Sequence, residues 1–174
     1  MQNPVTMRGA KFLNNCGWAI VIGTPLAAGF LSFTPPTSAQ EVKSGPIFEN
    51  VTLSPNFSPD PRTLRGISGG AVPASKVAGR AETATGSCMG FVDEKADHKV
   101  VLTSFFKNLS IQVESPQDTT IAIKGPGGVW CNDDYQGKNP GISGQWLPGS
   151  YQIWVGSYQK NKETPYIIRI SEGR

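Results

Sequence analysis

The run Leu109-Ser110-Ile111-Gln112-Val113-Glu114-Ser115-Pro116-Gln117-Asp118-Thr119-Thr120-Ile121-Ala122-Ile123-Lys124-Gly125 carries two period-two segments around a turn signal. Leu109, Ile111 and Val113 alternate with Ser110, Gln112 and Glu114, so a strand here buries one face and wets the other. Ile121 and Ile123 repeat the pattern after Ser115-Pro116-Gln117-Asp118, where proline presets φ and Asp bonds its own backbone. The same alternation recurs outward from this stretch. Ile47, Glu49, Val51 and Leu53 share a face of one segment; Tyr151, Ile153 and Val155 share a face of another, with Trp154 opposite. Ile168 and Ile170 end the chain on one side, and shorter strands are expected at 64–68, 90–93 and 99–103.

After residue 39 no stretch keeps an apolar 3.6 period for three turns. Gly125-Pro126-Gly127-Gly128, Asn139-Pro140-Gly141 and Leu147-Pro148-Gly149 punctuate the strands. The expected fold is therefore all-β: an antiparallel β-sandwich or jelly roll of about eight strands. Ser54–Pro61, with three prolines, reads as part of an extended arm or linker spanning 40–63, and the domain proper as 64–174. Residues 69–87, small and polar, read as a long loop with some strand pairing.

The first 39 residues have another character. Arg8 and Lys11 precede an uncharged, mostly apolar run from Cys16 to Phe33, and Thr37 and Ala39 stand at −3 and −1 of a cut before Gln40. That is the layout of a cleaved signal peptide over 1–39; the rival is a membrane anchor, since 18 residues just span a bilayer. Cys16 lies ahead of the apolar run, where a lipoprotein cysteine would not. The full chain carries a net charge of +3, but Arg8 and Lys11 leave with the signal, so fourteen Lys/Arg face thirteen Asp/Glu, or +1. No charge-based case remains for nucleic acid or an anionic membrane, and no stable insertion is expected after cleavage. The product is secreted or periplasmic.

Cysteine parity agrees with export. Without Cys16, Cys88 and Cys131 form an even pair in an oxidising compartment and are expected to bond. Two free thiols or a metal pair are the alternatives; no C-x-x-C spacing supports zinc.

The run from Leu109 to Ser171, containing "SPQDTTIAIKGPGGVWCNDDYQGKNPGISGQWLPGSYQIWVGSYQKNKETPYIIRIS", resembles the bacterial pre-peptidase C-terminal domain. That family orders a strand, a turn, an acidic "DD" loop, an "LPAG-x-Y-x-I-x-V" strand and a last strand. The likeness covers about 60 residues closely and about 110 in all. It implies a small β-sandwich found beside secreted proteases and in other exported proteins. It also implies a non-catalytic module aiding the stability, secretion or binding of an exported partner.

Three groups of residues stand out as candidate sites. Asn132, Asp133, Asp134 and Asn139 offer hard oxygen ligands that suit calcium, the one cofactor considered. Counting from Asn132, however, the twelfth position is Ser143 rather than the bidentate glutamate of an EF-hand, and Asp and Asn equally serve a turn by accepting loop N–H bonds. Trp130, Tyr135 and Trp154, exposed in a row, would stack on sugar rings, which makes a glycan-binding module the alternative function. Gly66-Ile67-Ser68-Gly69-Gly70 matches G-x-S-x-G, and Ser68 with Asp93 or Asp97 and the single histidine, His98, makes a triad on paper. No helix pattern follows Ser68, so the elbow context is missing and no enzyme is expected. His98, between Asp97 and Lys99, is expected on the surface.

Overall fold

A computed structural model describes residues 46–135 and 137–173. The expected signal segment 1–39, Cys16 included, lies outside the described residues, as do residues 40–45 of the expected arm. In chain order the elements are β1 (Val51–Leu53), β2 (Arg62–Ser68), β3 (Val72–Pro73), α1 (Ala74–Ala78), β4 (Glu82–Thr83), β5 (Gly86–Ser87) and β6 (Phe91–Val92). There follow β7 (His98–Leu102), β8 (Phe106–Glu114), β9 (Thr119–Gly125), β10 (Gly128–Asn132), β11 (Gly141–Trp146), β12 (Gly149–Ser157) and β13 (Thr164–Glu172).

These strands build a β-sandwich. One sheet of four runs β11-β8-β13-β2; the other, of seven, is organised on β12. Gly149–Ile153 pair with β7 on one side of β12, and Gln152–Ser157 pair with β9 on the other. β10 pairs with β9 at one edge, and β1 adds to β7 in parallel at another. β8 and β9 lie in different sheets, so Ser115–Asp118 carries the chain across the sandwich rather than closing a hairpin. The strands outnumber the eight expected: β6 falls in the expected 90–93, whereas β10 and β11 and the two-residue β3, β4 and β5 were not among them. In β3, β4 and β5 a two-residue segment is too short for alternation to mark.

The core lies where the alternation placed it. Leu109, Ile111 and Val113 of β8 and Tyr166, Ile168 and Ile170 of β13 face Ile121, Ile123, Tyr151, Ile153 and Val155 across it. Each fully buried aliphatic side chain there contributes roughly 1.5–3 kcal/mol. Trp130, Trp146 and Tyr151 pack against one another with ring centroids 5.1–6.1 Å apart. Trp146 donates from Nε1 to Leu109 O at 2.9 Å, and the Tyr151 hydroxyl donates to Leu147 O at 2.8 Å. Both polar handles are thereby satisfied as their rings bury.

A second, smaller apolar layer covers the outer face of the seven-stranded sheet. Ala122 and Trp154 meet Ala74 and Ala78 of α1, Val92, and the Cys88–Cys131 disulfide. α1 lies in the stretch expected to be a loop. Pro73 supplies its fixed φ at the start, and Gly79, at φ +73°, takes the left-handed cap that ends it. Small side chains at Ala74 and Ala78 let the backbone sit close on the sheet. Beside it the β4–β5 hairpin covers the outer rim of β10: Cys131 N–H donates to Thr83 Oγ1 at 3.0 Å, and Thr85 Oγ1 donates to Cys131 O at 2.8 Å. Backbone groups of β10 that no strand pairs are thus satisfied by threonine hydroxyls.

The segment before β2 is built into the sandwich from Ile47 onward. Leu53 is buried in the core, Thr103 N–H donates to Leu53 O, and Phe48 N–H donates to Arg65 O.

Candidate functional site

The three candidate groups meet different fates. In the acidic loop between β10 and β11, both asparagines have structural roles. Asn132 Oδ1 accepts from Gly141 N–H at 3.0 Å, and its Nδ2 donates to Thr85 O at 3.0 Å. Asn139 Oδ1 accepts from Ser115 N–H at 3.1 Å. Asp133 is half-buried and Asp134 exposed. Asn132 and Asn139 are therefore turned toward three different segments, and they staple the loop to the β4–β5 turn, to the turn after β8 and to the start of β11. Among the described residues no three His, Cys, Asp or Glu side chains gather as a metal set. The expected result of melting the protein with calcium and with chelator is the same midpoint. A rise with calcium would give Asp133 and Asp134 a ligand role.

The three rings expected to form a glycan platform are dispersed. Trp154 does point to the outer sheet face, but α1 and the disulfide cover that face and leave it 5% exposed. Trp130 packs into the Trp146–Tyr151 group. Only Tyr135, at 48%, stands open to solvent. The expectation of an exposed row is corrected: a second layer that periodicity could not reveal hides the central ring.

The paper triad is not assembled either. Ser68 is buried, its Oγ 3.4 Å from Ser157 Oγ and donating to Thr164 O at 3.1 Å. Among the described residues, His98 hydrogen-bonds to neither Ser68 nor a carboxylate. It is 1% exposed rather than on the surface, which overturns the expectation for it. Its Nδ1 lies 2.8 Å from Glu49 O and its Nε2 2.9 Å from the Tyr166 hydroxyl. A carbonyl oxygen only accepts, so Nδ1 carries the proton, and Nε2 accepts from Tyr166 O–H.

Asp97 lies beside this pair, nearly buried, with Oδ2 accepting from Val155 N–H at 2.7 Å. Burial pushes its carboxyl up to about 7; the Val155 bond opposes that, and the nearby Asp93 charge adds to it. Burial also holds His98 below its usual 6.5, against the Glu49 carbonyl and carboxylate, which favour the cation. Tyr166 is pushed up by burial and then by the Asp97 and Asp93 charges, so its hydroxyl stays a donor. Asp93, Glu94, Lys95, Ala96 and Asp97 line a surface cleft of about 390 Å³ closed on one side by Phe48.

Asp97, His98 and Tyr166 together form a buried polar group that sequence reading did not assemble. One signal was available: Tyr166 has the inward parity of Ile168 and Ile170, so its hydroxyl needed a partner inside. Gly66 makes room for it, because a Cβ there would fall 2.3 Å from the Tyr166 hydroxyl oxygen. Gly66→Ala is expected to displace the ring and lower stability by about 1–3 kcal/mol, read from the urea midpoint. An unchanged midpoint would mean the ring has freedom to shift.

No protein-family model matches the chain. A curated relative, an uncharacterized protein of Synechococcus elongatus, is 27% identical over 103 residues, 57% of this chain and 76% of the relative. Among solved structures the chain is similar to the pre-peptidase C-terminal domain of collagenase from Bacillus anthracis. That domain is 14% identical, with 71% of this chain and 95% of that one covered and a TM-score of 0.41. It represents the family that the run from Leu109 to Ser171 resembles.

Proposed function

We propose that the protein is an exported, non-catalytic β-sandwich module that acts through its surface, in the binding, stability or secretion of an exported partner. The observation that carries this reading is the Cys88–Cys131 disulfide, which ties β10 to the outer layer and belongs to an oxidising compartment. The separation of Ser68 from His98, each hydrogen-bonded to structural partners, supports the absence of catalysis. The test is cell fractionation with mass analysis of the native protein, followed by crosslinking in the exported fraction. The expected product begins at Gln40, holds the disulfide, crosslinks to an exported protein and leaves Ser68 unlabelled by a fluorophosphonate. An intact Met1 with reduced thiols in the cytoplasm, or labelling of Ser68, would overturn it.

A further inference from the structure

We propose that the segment Ile47–Asn50 is a proton-operated latch: it seals the single histidine, His98, inside the sandwich, and protonation of that ring releases it. The seal is direct. Glu49 places its carbonyl oxygen 2.8 Å from Nδ1, and the Phe48 ring lies over the imidazole with centroids 6.2 Å apart. The segment is held by a few surface contacts: Phe48 N–H to Arg65 O, Glu49 to Arg62 at 2.6 Å, and Lys99 N–H to Asn50 Oδ1 at 2.7 Å. Ile47 and Phe48 are themselves 55% and 40% exposed, so detaching them sacrifices little burial. Immediately after them β1 is anchored, with Leu53 in the core, which puts the hinge between Asn50 and Val51.

The groups around the ring decide the direction. From the arm come the Glu49 carbonyl and carboxylate, and from β13 the Tyr166 hydroxyl. The β6–β7 turn brings Asp93, Glu94, Lys95 and Asp97, with Lys99 on β7, and Arg62 and Arg65 of β2 hold the arm. With the arm closed, Nε2 already accepts a hydrogen bond. An added proton requires Tyr166 to turn its O–H elsewhere and leaves an imidazolium out of reach of water. With the arm open, water reaches the ring, which then titrates near its ordinary value. The open form binds the proton more tightly, so acid shifts the population toward it.

The chain's one histidine makes the test clean. Its imidazole resonance is followed by NMR from pH 4 to 8, alongside amide exchange at Phe48 corrected for intrinsic rates. In the wild type, His98 is expected to titrate below 6.5, and Phe48→Ala to move it upward toward that value. Protection at the Phe48 amide should fall between pH 7 and 5, about tenfold for each pH unit by which His98 lies below 6.5, while β8 and β13 amides keep theirs. His98→Asn, which retains a donor to Glu49 O, should make Phe48 protection independent of pH, and Asp97→Asn should leave the dependence in place. Wild-type protection that is flat with pH, or equal dependence in His98→Asn, overturns the latch. If His98→Asn does not fold, an unmoved titration in Phe48→Ala does so.

Discussion

Replacing Cys88 and Cys131 together by alanine is expected to lower the unfolding free energy by roughly 4 kcal/mol, from the entropy the open chain regains. The bond joins residues 43 apart in sequence, a loop long enough for that term to be large. The loss should fall first on the outer layer. Ala74 and Ala78 of α1 present only methyl groups to the sheet, and the β4–β5 hairpin is two residues a side. Neither has a core of its own, so both depend on Cys88 being tied down. Urea unfolding of the double variant checks the magnitude, and amide exchange checks the place: 74–88 should lose protection before β8, β12 or β13. Equal loss throughout would mean the outer layer stands without the bond.

The second large effect is a pH dependence located in one carboxyl. Asp97 titrates at about 7 in the folded protein against 3.8 when exposed, chiefly because burial disfavours its charge. Between those values the unfolded chain has lost the proton and the folded one keeps it. Stability is therefore fully present below 3.8 and is lost as pH rises to about 7, by roughly 4 kcal/mol in all. Asn at this position keeps an oxygen for Val155 N–H and has no charge to bury, so Asp97→Asn should gain about that much at pH 8 and converge with the wild type near pH 4. His98 acts with the opposite sign. Its folded value lies below 6.5, so its contribution is lost as pH falls through that value, and the variant should show this acid-side loss alone. Urea midpoints from pH 4 to 8 decide; parallel curves for the two proteins would place the titration elsewhere.

The inner faces of the sandwich were legible in the sequence because each strand there has one dry side and one that is wet or differently filled. Leu109, Ile111 and Val113 against Ser110, Gln112 and Glu114 is the plainest case, and β12 and β13 follow it. The outer layer was not legible. Thr119, Thr120, Ile121, Ala122 and Ile123 are all buried, yet only the two isoleucines mark the run as core, because Thr and Ala serve on either kind of face. Trp154 was assigned the correct side of the sheet and the wrong environment, since nothing in the sequence states what lies above it. The disulfide came from parity, which needs no geometry. The Asp97–His98–Tyr166 group escaped for the converse reason. His98 finds its partners 49 and 68 residues away in sequence, and local charge at Asp97 and Lys99 suggested a solvated face.

The threonine contacts on β10 bear on what the protein avoids as well as on how it holds together. β10 is the last strand on its side of the sheet, and an uncovered last strand is a ready template for another chain to join. Thr83 and Thr85 occupy the hydrogen-bonding groups of Cys131 on that rim, and the disulfide keeps their hairpin in place. Reduction would thus unmask a strand that recruits copies of itself. The bond would then serve to keep each molecule solitary, a role independent of how much it adds to the stability of the fold.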